Sequence, residues 1–137
     1  MDKNKEPQFG IQNVPPVLKP VSHLEKYWGH ITSVYADENF TLKNVFMRAG
    51  TQSSLEYHVN KEEFYYILSG KLKVGLRIGR AKNSSVILNA GDVFHIQPGL
   101  MHMRIAIEDT VIIEWSNKDD DSDSNIVEDG TRYKHIE

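Results

Sequence analysis

A chain of 137 residues, of which 39% are hydrophobic, can bury one compact core but not two, so we expect a single domain. The net charge is −3 and the Lys and Arg residues are scattered, so we expect no basic surface of the kind that binds nucleic acid. Cysteine is absent from the sequence, which excludes disulfides, thiolate nucleophiles and sulfur-ligated metals.

The N-terminal residues 1–21 are predicted to form an extended arm. Four of the five prolines lie among polar residues in this stretch, and proline disfavours a packed helix. The sequence contains no apolar run long enough to cross a membrane and no apolar signal core, so we expect a cytoplasmic protein without membrane contact. Ser22-His23-Leu24-Glu25 has the S-x-x-E form of a capping box, which predicts a single helical turn there.

Residues 22–117 are predicted to form an all-β barrel or sandwich. From Tyr27 to Trp115, short runs rich in Val, Ile, Tyr and Phe alternate with Gly, Asn, Asp or Ser, as is typical of strands joined by turns. The predicted strands are Ile31–Ala36, Thr41–Arg48, Ser53–His58, Glu63–Ser69, Lys71–Arg77, Ser85–Leu88, Val93–Gln97, His102–Ile107 and Val111–Ser116.

The C-terminal residues 118–137 are predicted to form an acidic loop followed by a return segment. The run from Lys118 to Ser124 has too few apolar side chains to offset its ordering entropy, which predicts a loop. The apolar residues beyond it suffice to dock a short segment on the barrel; they are Ile126, Val127, Tyr133 and Ile136.

Four side chains are candidate metal ligands. Glu56 and His58 alternate on one predicted strand and therefore share a face. The four residues that follow are the length of a hairpin loop, which would bring Glu63 beside them. His102 follows a Gln-Pro-Gly turn that could return it across the barrel mouth. Two imidazoles and two carboxylates suit one divalent ion, and Zn²⁺, Mn²⁺, Fe²⁺, Co²⁺ and Ni²⁺ all remain open.

Further residues are candidates for catalysis or substrate binding. His95 is either a structural histidine on the outer wall or, if it faces inward, a proton shuttle with a pKa near working pH. Arg104 should share the inward face of His102, where its guanidinium would need an anion. Lys43 and Arg48 could also hold a phosphate or carboxylate, although such cations are more often surface residues.

Phe64, Tyr65 and Tyr66 place aromatic rings on both faces of one strand. A strand buried on both sides is explained by a barrel interior on one face and a second subunit on the other. The alternative is that the N-terminal arm or the C-terminal return covers the outer face within one chain.

The spacing of these residues resembles the two motifs of the cupin superfamily. Gly50-x5-Glu56-x-His58-x4-Glu63-x6-Gly70 is similar to the first motif, and Gly91-x5-Gln97-Pro98-Gly99-x2-His102 is similar to the second. Glu56 stands where cupins typically have histidine, and Ala106 stands where the second motif ends in asparagine. The resemblance implies a double-stranded β-helix, also called a jelly roll, with one divalent metal ion held by the four candidate ligands.

A closer resemblance is to the single cupin domain of the mannose-6-phosphate isomerase type (type II). Ser54–His58 reads S-L-E-Y-H where that family has S-L-Q-Y-H, and Glu25–Gly29 is similar to its E-K-P-W-G signature. The likeness extends from about Glu25 to Glu128. It implies aldose–ketose isomerisation of a sugar phosphate, with a metal ion polarising the substrate oxygens, and a homodimer. The extra charge of Glu56 should bind the metal more firmly while making it a weaker Lewis acid.

Two other classes of function stay open. Other single-domain cupins resembling this chain are metal-dependent dioxygenases or lyases acting on small acids. A non-catalytic small-molecule-binding cupin is the third class, and the weaker Lewis acid expected beside Glu56 favours it. The fold alone does not decide among them, because cupins support many chemistries.

Overall fold

The computed structural model describes residue 10 and residues 13–79, 82–117 and 119–128. This part of the chain contains eleven β-strands and one 3-10 helix, Asp121–Asp123. It contains no helix long and apolar enough to cross a membrane. The strands are β1 Ser22–Lys26, β2 Gly29–Ala36, β3 Phe40–Met47, β4 Leu55–Tyr57, β5 Glu63–Ser69, β6 Lys71–Ile78, β7 Lys82–Asn89, β8 Val93–Ile96, β9 Met101–Ala106, β10 Thr110–Asn117 and β11 Asn125–Glu128.

The strands form two antiparallel sheets. The first sheet has the order β1-β2-β3-β10-β5-β8, and the second has the order β11-β4-β9-β6-β7. Buried side chains from both sheets form one apolar cluster, so the sheets enclose a common interior. This arrangement confirms the predicted all-β double-stranded β-helix.

Alternation along each strand decides which side chains reach the interior. On β5, Glu63, Tyr65 and Ile67 are buried while Tyr66 and Leu68 are exposed, as the two-residue period of a strand requires. The outer face that carries Phe64 and Tyr66 is therefore only partly covered within this chain. The prediction of a homodimer stays a prediction.

The interior has an apolar end and a polar end. On β9, Ala106 belongs to the apolar cluster, whereas His102 lies four residues away on the same face, at the polar end. On β5, Ile67 likewise belongs to the apolar cluster, whereas Glu63 lies at the polar end. Each strand thus contributes side chains to the core and to the site, so packing at one end fixes the position of polar groups at the other.

All nine predicted strands are present, with ends that differ by a few residues. The helical turn predicted at Ser22–Glu25 is wrong, because this segment is strand β1 and pairs antiparallel with β2. Residues 13–21 have no helix or strand and are mostly exposed, whereas residues 1–9, 11 and 12 lie outside the described residues, so the N-terminal arm stays a prediction. β11 lies in the predicted return segment, of which Tyr133 and Ile136 also lie outside the described residues.

The hairpin predicted between Glu56 and Glu63 is also wrong. β4 pairs with β9 and β11 in the second sheet, whereas β5 pairs with β10 and β8 in the first. The residues between them cross from sheet to sheet. The carboxylate of Asp123 accepts hydrogen bonds from the backbone N–H groups of Val59, Asn60 and Lys61, which fixes the crossing as a corner.

Candidate metal centre

The pairing of β4 with β9 creates the centre of the site. Glu56 lies directly opposite His102 in this pair, and His58 follows two residues later on the same chain. One ligand atom from each of these three residues lies within 4.8 Å of the other two. Ligand–metal distances of about 2.0–2.2 Å place the ligands of one ion roughly 3–4 Å apart. The three side chains therefore fit a single divalent cation after small adjustments.

Both imidazoles are oriented by hydrogen bonds to backbone carbonyls. Nδ1 of His58 lies 3.1 Å from the carbonyl oxygen of Asp123, and Nδ1 of His102 lies 2.8 Å from that of Leu100. A carbonyl oxygen only accepts, so each Nδ1 is the donor. Nε2 of each ring is left to face the site, which is the arrangement that metal-binding histidines use.

Two carboxylates face Nε2 of His58. An oxygen of Glu56 lies 3.2 Å from it and an oxygen of Glu63 lies 3.1 Å from it. Burial lowers the pKa of His58, but the hydrogen bond and charge of Glu63 outweigh burial and raise it. The pKa of His102 is lowered, mainly by burial. The place between His58 and the two carboxylates thus favours a cation, whether a proton or a metal ion.

Glu63 lies at the edge of this centre. It is not part of the compact three-residue group, and the same oxygen that faces His58 lies 3.4 Å from Nζ of Lys61. Burial raises the pKa of Glu63, but the hydrogen bond with His58 and the charge of Lys61 hold it well below its usual range. Glu63 is therefore a charged neighbour of the site, and its role as a fourth ligand stays a prediction.

Arg104 reaches the interior, as its spacing from His102 predicts. Its side chain is mostly buried, at 13% exposure; the guanidinium pairs with the carboxylate of Glu114 and lies over the ring of Trp28 at 4.9 Å from the centroid. The anion that this guanidinium needs is thus supplied by the protein. Glu114 was not predicted as a site residue, although its two-residue spacing from buried Ile112 on β10 was a usable signal.

Lys43 also lines the interior, where Nζ donates to Asp119 at 2.8 Å. Arg48 does not line it: this residue is exposed and donates to the backbone oxygen of Tyr27 at 2.6 Å. Of the two cations predicted on or near this strand, the structure brings only Lys43 to the site.

His95 lies on the outer face of the first sheet. It pairs across the strands with Phe64, stacks on that ring at 4.4 Å and contacts Glu62 at 2.6 Å. Its neighbour Ile96 is the residue that points inward. His95 is therefore a structural histidine on the outer wall. The alternative role of a proton shuttle that faces inward is wrong, because this imidazole lies away from the metal centre.

The site opens into a cavity of about 440 Å³ between the sheets. The aromatic residues Tyr27, Trp28 and Tyr65 form part of its wall. The charged side chains that line it are Lys26, Lys43, Lys61, Arg104, Glu56, Glu63, Glu114 and Asp119. Lys61 and Asp119 were missed from the sequence, because both lie in segments whose polar composition predicts exposure.

Comparisons with known proteins concern the family and the fold of this chain. A family model described as Cupin matches residues 31–135. Mannose-1-phosphate guanylyltransferase 2 from Escherichia coli O157:H7 is 28% identical over 122 residues, which cover 84% of this chain and 24% of that protein. This chain therefore spans about a quarter of the length of that relative.

Several solved structures share the fold. The capsular polysaccharide assembling protein CapF from Staphylococcus aureus has a TM-score of 0.72 at 18% identity, covering 82% of this chain and 33% of that one. Oxalate decarboxylase from Bacillus subtilis has a TM-score of 0.64 at 20% identity, covering 76% of this chain and 29% of that one. KdgF from Halomonas sp. has a TM-score of 0.58 at 20% identity, covering 68% of this chain and 81% of that one. At these identities the likeness concerns the fold alone.

Proposed function

This chain belongs to the cupin family, and from that membership we propose that it is a metal-dependent enzyme acting on a sugar phosphate or a related polar carbonyl compound. The reaction proposed is an aldose–ketose isomerisation. The observation that carries the proposal is the group formed by Glu56, His58 and His102, of which Glu56 and His102 line a cavity that also holds lysine ammonium groups.

The cavity has the two kinds of group that such a substrate needs. A divalent cation held by Glu56, His58 and His102 would polarise the carbonyl and neighbouring hydroxyl oxygens as a Lewis acid. Lys43 and Lys61 provide positive charge for an anionic substituent elsewhere on the same small molecule. Trp28 and Tyr65 are buried and add aromatic surface to the cavity wall.

Isomerisation also requires a group that carries a proton between two carbons. His95 does not lie at the cavity, so this role falls to a side chain of the cavity wall.

The curated relative supports the chemical class but not the whole activity. Its printed name identifies an enzyme of mannose 1-phosphate, which is a sugar phosphate. Because this chain matches only 24% of that protein, the guanylyltransferase activity itself is not carried over to this chain.

A non-catalytic small-molecule-binding cupin is the second candidate. The observation that favours it is the pairing of charges within the cavity, where Arg104 is bound by Glu114 and Lys43 by Asp119. Such pairs order a binding site without supplying a strong base.

Elemental analysis followed by an activity assay tests the proposal. The protein is purified without added metal, its metal content per chain is measured, and the same sample is assayed for mannose-6-phosphate/fructose-6-phosphate interconversion. We expect about one divalent metal ion per chain and measurable turnover that the His102→Ala variant lacks. Binding of mannose 6-phosphate without turnover in a metal-replete sample would favour the binding module. Bound iron with oxygen consumption would instead indicate a dioxygenase.

A further inference from the structure

Asp119 bridges two lysines inside the cavity. One carboxylate oxygen lies 2.8 Å from Nζ of Lys43 and the other lies 2.9 Å from Nζ of Lys61. The three residues come from distant parts of the chain: β3, the crossing between β4 and β5, and the segment after β10. Their convergence depends on the complete fold and places two ammonium groups around one carboxylate.

The two lysines face two carboxylates, because Lys61 contacts Glu63 at 3.4 Å as well as Asp119. Lys61 is buried, and although burial lowers its pKa, the charges of Glu63 and Asp119 raise it above its usual range. Its other carboxylate neighbour, Glu63, is shared with His58 at the metal centre. An anion bound at the lysines would therefore lie one side chain away from the metal ligands.

Asp119 is more exposed to solvent than the buried lysine that it contacts. Its side chain is 28% exposed, whereas that of Lys61 is 9% exposed. The segment that follows is fixed separately, because Asp123 accepts three backbone hydrogen bonds from the residues 59–61. Asp119 can therefore move away while Asp123 continues to hold His58.

We propose that Lys43 and Lys61 form an anion subsite, which Asp119 occupies in the ligand-free protein and yields to a carboxylate or phosphate of the ligand. The inference rests on the proposed function in one respect, namely that the ligand enters the cavity of the metal centre. A ligand carboxylate or phosphate offers the ammonium groups the same acceptors as Asp119, and a doubly charged phosphate binds them more strongly. A neutral ligand gains nothing by displacing Asp119, so the exchange selects anionic ligands.

The Asp119→Asn variant tests this exchange, with inorganic phosphate as the probe in isothermal titration calorimetry. Removing the competing charge should tighten phosphate binding by about tenfold, which corresponds to about one charge-assisted hydrogen bond. Asp120→Asn is the matched control, because it removes the same charge from the next residue, whose carboxylate contacts Ser122. Equal tightening in both variants would overturn the proposal, since the effect would then be one of net charge.

The Lys43→Met substitution gives a second, independent test. It should weaken phosphate binding in the wild-type chain and abolish the gain in the Asp119→Asn chain. Retained tight binding in the double variant Lys43→Met/Asp119→Asn would overturn the proposal. If Asp119→Asn impairs folding, the comparison of phosphate binding between wild type and Lys43→Met still tests the proposal. Lys43 is only partly buried, so its substitution should leave the fold intact.

Repeating the titrations in the His102→Ala background separates this inference from the proposed function. The lysines are not metal ligands, so the gain from Asp119→Asn should persist when the metal is lost. Full metal content without any effect of Asp119→Asn would refute the anion subsite alone. Absence of metal from the wild-type chain with an intact Asp119→Asn effect would refute only the metal-dependent function.

Discussion

The two histidines of the metal centre are positioned by backbone carbonyls that come from different segments. Leu100 holds His102 from within the same turn, whereas Asp123 holds His58 from a segment 65 residues away in sequence. The orientation of His58 therefore depends on the chain beyond the barrel strands. A hydrogen bond from Nδ1 to a carbonyl fixes the imidazole ring and raises the basicity of Nε2 toward a metal.

His58→Ala and His102→Ala should each remove the metal ion. Each substitution deletes a nitrogen ligand, so the metal affinity should fall by more than the roughly 10- to 100-fold that is lost when a hydrogen bond orienting a ligand is removed. Metal content per chain after dialysis measures the loss. His95→Ala is the matched control, since this histidine lies on the outer face and should leave the metal content unchanged. Equal metal content in His102→Ala and wild type would contradict the assignment.

Glu56→Gln should retain the metal ion with lower affinity. The amide keeps an oxygen donor but removes one negative charge, and ligand charge is a main determinant of cation affinity. We expect the dissociation constant to rise by about 10-fold, measured by competition with a chelator. Turnover per bound metal ion should increase, because the ion loses less of its Lewis acidity to its ligands. Unchanged affinity would show that Glu56 does not contact the ion.

Periodicity was sufficient to predict some site residues and not others. Glu56 and His58 share a strand face, and His102 and Arg104 share another, so a two-residue period brings each pair to the interior. Lys61 and Asp119 lie outside strands, where no period applies. Their burial follows from contacts between distant segments, which a local pattern does not contain.

At the scale of elements, the turn between β5 and β6 illustrates why a glycine is required. Gly70 has φ of +93°, and a Cβ atom there would lie 2.2 Å from the backbone oxygen of Asp109. Gly91 has nearly the same φ, +92°, but a Cβ atom there would meet nothing within 4 Å. Comparing substitutions at Gly70 and Gly91 therefore distinguishes the cost of backbone strain, which both share, from the cost of steric collision, which only Gly70 has.

Gly91→Ala should cost about 1 kcal/mol of unfolding free energy, from the left-handed backbone alone. Gly70→Ala should cost about 1–3 kcal/mol more, because the backbone of Asp109 must also shift. Urea denaturation of the two variants measures the difference. Equal destabilisation would show that the β5–β6 turn moves aside without cost.

The 3-10 helix supports the metal centre through Asp123. Asp123→Ala removes three hydrogen bonds to the corner formed by residues 59–61 and loosens the carbonyl that orients His58. We expect a roughly 10- to 100-fold loss of metal affinity, as is typical when a hydrogen bond that orients a metal ligand is lost. Asp120→Ala, from the same acidic run, should have little effect. If the two variants bind metal equally, the corner is held by other contacts.

The strands could be predicted from the sequence because their signals are local. The pairing partner of each strand could not be predicted in this way. Nine runs of apolar and β-branched residues match β2 to β10. β1 and β11 were not predicted as strands, since Ser22–Lys26 is exposed along its length and Asn125–Glu128 is short and mostly exposed. The assignment of β4 and β5 to different sheets is set by pairing between residues far apart in sequence.

For the whole molecule, the balance of charged groups predicts how stability depends on pH. In the dialysed protein without metal, hydrogen bonds and neighbouring cations outweigh burial at Glu63 and Asp119 and hold their pKa values below the usual range. Burial raises the pKa of Glu114, which acts in the opposite direction. The pKa values of His58 and His102 shift in opposite directions, so their effects near neutral pH partly cancel.

The dialysed protein should therefore lose stability in acid. A carboxyl group whose pKa is lowered by folding stabilises the folded state fully above its unfolded pKa of about 4, and this contribution is lost as the pH falls through the folded value. We expect the midpoint of urea unfolding to change little between pH 7 and about pH 5 and to fall below about pH 4. Asp119→Asn removes one of these carboxylates, so its acid loss should be smaller, whereas Asp120→Asn should follow the wild-type curve. Parallel curves for wild type and Asp119→Asn would mean that the bridge between Lys43 and Lys61 contributes no net stability to the fold, even though it orders the cavity.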